Sequence, residues 1–112
     1  MANATIDFDR CFQDLSKKFP EIKSELERRI GELLGVSIVP TILLITRPPR
    51  IDVTLPLNQQ SPSPETRRKQ ASLAISISQV ASDHNLNVSA YSDSKNSFYN
   101  FNPTYGEYRI KS

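Results

Sequence analysis

The apolar positions change period three times along the chain, and each change marks an element. Phe8, Phe12, Leu15, Phe19, Ile22, Leu26, Ile30 and Leu33 recur at intervals of three or four. That spacing lays one apolar stripe along a helix. Asp7 can cap its start by accepting a backbone N–H, and Gly35 can end it. Pro20 removes one helical hydrogen bond and crowds the preceding turn. The segment 8–34 is therefore expected as a strongly kinked helix or as two helices, with Pro20-Glu21 opening the second.

Residues 36–46 switch to strand formers. Ile42 to Ile45 is apolar at every position, which predicts a strand covered on both faces. Pro40 points to an edge position, a bulge, or a strand that begins only at Thr41. Arg47-Pro48-Pro49-Arg50 is a rigid turn. Ile51, Val53, Leu55 and Leu57 then alternate with Asp52, Thr54 and Pro56, the period of a half-buried strand that makes a hairpin with the one before it. After the polar loop 58–64, Ser63-Pro64-Glu65 opens a second helix with a cap, a proline at the first helical position and an acid at the dipole's positive end. Leu73, Ile77, Val80 and Ala81 form its stripe, and it runs to about His84.

From Leu86 the alternation returns, with Val88 and Ala90 set against Asn87, Ser89 and Tyr91. Phe98–Phe101 and Glu107–Lys111 read as two more short strands joined by a tight turn over 102–106. Helices are thus expected near 8–34 and 64–84, and strands near 41–46, 51–57, 86–91, 97–101 and 107–111. The fold class is α+β: an antiparallel sheet of four to five strands with two or three helices packed on it, in the order α(α)ββαββ(β). Pro40, Pro48, Pro49 and Pro56 bracket the first hairpin and would block its ends from edge pairing. The C-terminal hairpin carries only Pro103, in its turn, so its strands are expected to be the freer edge.

Length and composition narrow the function classes. A chain of 112 residues suits one domain. Net charge is +2, and no segment is a basic arm or an acidic tail: residues 1–34 hold six bases and seven acids. A single cysteine, Cys11, allows no internal disulfide. The N-terminus has no basic region followed by an apolar stretch. The apolar run Ile42–Ile45 is far too short to span a bilayer. No membrane partner is expected, and the cytoplasm is the expected location.

Reactive groups are sparse. Cys11 lies beside Phe8, Phe12 and Leu15 and reads as a small buried hydrophobe. His84, the one histidine, falls at the end of the second helix, where a donor meets unpaired carbonyls. Glu21, Glu25 and Arg29 stand four residues apart, the spacing of a solvated helix face. Gly31, Gly35 and Gly106 are too scattered for a phosphate cradle. No catalytic residue, cofactor site or metal site is expected.

Two groups of residues suggest contact surfaces. Tyr91, Phe98, Tyr99, Phe101, Tyr105 and Tyr108 crowd the C-terminal part, and such rings are enriched in interface cores. Arg47, Arg50, Arg67, Arg68 and Lys69 are candidates for a basic patch able to meet phosphate. Asn102-Pro103-Thr104-Tyr105 resembles the NPxY peptide motif read by phosphotyrosine-binding-type domains, but the aromatic expected two positions before the Asn is replaced by Asn100. Asn followed by Pro is also a good turn opening. The reading is a non-catalytic interaction module that binds a protein partner or itself. A small nucleic-acid-binding domain, using the scattered bases and the C-terminal aromatics, is the alternative, and a small enzyme ranks third.

Overall fold

A computed structural model describes residues 5–35, 38–56, 64–93 and 95–110, without the side chains of Thr66 and Arg67. Ser63 and Leu57 lie outside the described residues, so the expected Ser63 cap does too. The element order is β1 (Thr5–Ile6), α1 (Phe8–Leu34), β2 (Thr41–Thr46), β3 (Pro49–Pro56), α2 (Pro64–Asp83), β4 (Asn87–Ser92), β5 (Asn96–Asn102), a 3₁₀ turn (Tyr105–Tyr108) and β6 (Arg109–Ile110). The fold is α+β, with antiparallel sheets of four and two strands. The larger has the order β2-β3-β5-β4, and the smaller pairs β1 with β6.

α1 is one continuous helix, not two, and Pro20 lies inside it. Asp7 caps it, its carboxylate accepting from the Arg10 N–H at 3.0 Å. The stripe explains why the helix survives its proline. Leu15, Ile22, Leu26 and Ile30 are all essentially buried, and each contributes about 1.5–3 kcal/mol. One internal proline costs about 3 kcal/mol. The four burials outweigh it.

Both helices lie on the same side of the four-stranded sheet. α1 runs over β2 and β3, and α2 lies nearer β4. One core joins Leu15, Ile22, Leu26 and Ile30 of α1 to Leu73, Ile77, Val80 and Ala81 of α2. From the sheet come Ile42, Ile51, Val53, Leu55, Tyr99 and Phe101. Just past the end of α2, Asn85 adopts the left-handed φ of 59°. Leu86 N–H then reaches back to the Ala81 carbonyl at 2.8 Å, a Schellman closure that turns the chain into β4.

Three expectations are corrected. The strand after the 102–106 turn does not return to β5. β5 already has β3 on one side and β4 on the other, so no ladder position is free. The chain passes through Pro103 and the 3₁₀ turn, and β6 joins β1 instead. For the same reason the C-terminal strands are not the freer edge of the sheet; its edges are β2 and β4. Finally, Ile42–Ile45 is not covered on both faces. Among the described residues the helices cover only the side of Ile42 and Leu44, while Leu43 is 53% exposed on the other.

Candidate interaction surface

Strand parity builds the uncovered face. On β3, Ile51, Val53 and Leu55 point into the core, so Arg50, Asp52 and Thr54 point away from the helices. The register carries this alternation across the sheet. Thr41 and Phe98 flank Thr54, Leu43 and Asn100 flank Asp52, and Ile45 lies beside Arg50. On the far strand Tyr91 faces Phe98, Ser89 faces Asn100 and Asn87 faces Asn102. The face is therefore aliphatic at the β2 edge, charged and amide-bearing in the middle, and aromatic at one corner.

That corner is a cross-strand pair. The Tyr91 and Phe98 rings stack with centroids 4.8 Å apart and planes 16° from parallel. Tyr91 is among the large hydrophobic side chains most open to solvent, and Phe98 is half-buried. In the centre the Arg50 guanidinium donates to the Asp52 carboxylate at 2.8 Å, which leaves the middle of the face without net charge.

The other aromatic candidates separate from these two. Tyr99 and Phe101 alternate with Phe98 on β5 and face the core, at 8% and 0% exposure. Tyr105 packs edge-on against Phe8 at 5.9 Å and donates its hydroxyl to the Pro49 carbonyl. The Arg10 guanidinium lies over the Tyr108 ring, 5.0 Å from its centroid. Burial and a hydrogen bond to Asp14 push the Tyr108 phenol up to about 12. The Asn102-Pro103-Thr104-Tyr105 segment is built into the fold, with Pro103 buried and Tyr105 anchoring the 3₁₀ turn.

The basic candidates do not gather. Arg47 lies in the β2–β3 turn and Arg50 at the start of β3. Arg67, Arg68 and Lys69 belong to the start of α2, which follows the far end of β3. α2 then runs back along the sheet, with Gln70 and Leu73 near Ser97 and Tyr99, and Ser82 near Asn87. The two groups thus sit at opposite ends of the sheet, because α2 runs against β3. Lys69 pairs with Glu65 at 3.7 Å and Arg50 with Asp52. Arg67 has no described side chain, and Arg68 is exposed.

Cys11 and His84 are both enclosed by α1 and its neighbours. Cys11 is fully buried, and burial, then the Asp14 charge, pushes its thiol upward, against a smaller opposing effect of Arg10. His84 Nε2 lies 3.4 Å from Glu25 Oε2, and Lys18 donates to the His84 carbonyl at 3.2 Å. These contacts tie α1 to the end of α2. A polar pocket of about 460 Å³ opens beside them, lined by Asp14, Lys18, Asn85, Asn87, Thr104 and Tyr108 among others. Among the described residues no group of three or more His, Cys, Asp or Glu is placed to hold a metal ion. Among the described residues no helix is long and apolar enough to cross a membrane.

Leu43 and Ile45 belong to the open face and not to a doubly covered strand. The signal was present in parity: on a strand, Ile42 and Leu44 cannot share a face with Leu43 and Ile45. No protein family, curated protein or solved structure matches the chain.

Proposed function

We propose that the chain is a non-catalytic interaction module that meets a protein partner through the side of its sheet the helices leave open. The observation that carries this reading is the composition of that face. Leu43, Ile45 and the Tyr91–Phe98 pair stand on it around a neutralised Arg50–Asp52 centre. An aromatic and aliphatic face with its charge cancelled suits a protein surface better than a phosphate backbone, which needs clustered free cations. Placement of the bases at two ends of the sheet weighs the same way against the nucleic-acid alternative.

A photoreactive residue at Tyr91 tests the reading, with one at Ile75 on the exposed side of α2 as control. Illumination of cells making the full chain is expected to give discrete protein adducts from position 91 and few from position 75. Adducts to nucleic acid from position 91, or equal labelling from both sites, would contradict the proposal.

A further inference from the structure

The edges of the four-stranded sheet differ in a way that selects an occupant for one of them. β2 reads Thr-Ile-Leu-Leu-Ile-Thr from Thr41 to Thr46, and β4 reads Asn-Val-Ser-Ala-Tyr-Ser from Asn87 to Ser92. An edge strand presents unpaired backbone N–H and C=O groups, and proteins ordinarily guard it with charge, proline or a covering element. β2 contains no charge and no proline. The flanking prolines stand outside it, Pro40 immediately before, Pro48 in the turn after and Pro49 at the start of β3. They fix the ends of the strand and leave its six residues able to pair. Val39, just before β2, is 71% exposed, and Leu43 within it is 53% exposed.

From these features we infer that β2 pairs antiparallel with β2 of a second copy, making one continuous eight-stranded sheet about a two-fold axis. The inference goes beyond the open-face reading: it adds a contact with a second copy at the β2 edge and leaves the open face free. A two-fold perpendicular to the sheet keeps both helical layers on one side, and it requires paired residues to share a face. Leu43 then faces Leu43 of the second copy, or Leu44 faces Leu44. In the first register Ile42 meets Leu44, and in the second Leu43 meets Ile45. Every central pair is aliphatic, and none sets like charges against each other, the usual obstacle to a strand pairing with itself. The contact is isologous, so it closes after two copies. β4, with Asn87, Ser89 and Ser92, is left as the polar outer edge of the pair.

The helical layer supports the same arrangement. Glu25, Arg29 and Lys18 mark the flank of α1 that faces α2. Phe12, Phe19 and Leu34 lie about a third of a turn round on the β2 side, and each remains only partly buried. Edge pairing brings the two α1 helices side by side and adds apolar cover to these three side chains.

Sedimentation of the full chain over a concentration series tests the inference, beside Leu43→Lys on one edge and Ser89→Lys on the other. Both positions are exposed, and circular dichroism and Tm verify that each variant folds. The wild type and Ser89→Lys are expected to dimerise, and Leu43→Lys to dimerise at least about tenfold more weakly, since its two lysines face each other across the axis in the first register and lie diagonally across it in the second. A wild type that stays monomeric overturns the inference. So does a dimer broken by Ser89→Lys and not by Leu43→Lys. Either result leaves the photocrosslinking outcome at Tyr91 to decide the broader reading.

Discussion

At the scale of single residues, parity on β5 decides which aromatic rings are structural. Phe98 and Phe101 look alike in sequence, yet one stands on the open face and the other is fully buried. Removing a buried ring costs its transfer energy and leaves a cavity. Phe101→Ala is therefore expected to lower stability by about 3–5 kcal/mol. Tyr91→Ala loses mainly a surface stacking contact, with an expected cost of about 0.5–1.5 kcal/mol. Urea denaturation of the two variants measures the difference. Equal midpoint shifts would mean that the register of β4 and β5 is displaced by one residue. The six aromatics were legible as a concentration of rings, but not as two on the face, two in the core and two at the α1 end. Sequence distance does not record which side of a pleat a side chain takes until the partner strands are known.

At the scale of elements, α1 shows a local rule overridden by packing. Proline inside a helix predicts a break, and the structure has none. Pro20 is exposed, so its ring occupies no place in the core. Pro20→Ala is expected to restore a backbone hydrogen bond and raise stability by about 1–3 kcal/mol. A rise in thermal midpoint checks this; a fall would show that Pro20 contributes more to the fold than the hydrogen bond it removes costs. The second helix and the first hairpin were legible to within a few residues, because their periods are clean and Pro64, Pro48 and Pro49 mark their boundaries. β1 and β6 were not anticipated as partners. Each is two residues long, too short to carry a period, and their pairing joins the two ends of the described chain. It is supported by contacts from neighbouring residues: Asp7 N–H donates to the Tyr108 carbonyl at 2.8 Å, and Arg10 donates to the Glu107 carbonyl at 2.8 Å.

At the scale of the whole molecule, the one-sided layering sets both stability and exposure. β3 and β5 are paired on both sides and supply much of the core. Their amides are expected to exchange with solvent most slowly, near the rate set by global unfolding. Amides of β1 and β6 are expected to exchange fastest among the strands, since the ladder they share has only two residue pairs. Hydrogen exchange followed by mass spectrometry checks the order, and fast exchange in β5 would refute the central position given to it. The sequence alone determined the α+β class, the helical character of 8–34, the second long helix and the strands of the main sheet, because each rests on a local repeat of apolar positions or on turn chemistry. Only the tertiary structure decided that the helices share one side, that β2 and β4 are the edges, and that Leu43, Ile45, Tyr91 and Phe98 face away from the core. Those outcomes depend on which strands pair and where each helix docks. They are relations between distant segments, and no local pattern of apolar and polar residues encodes them.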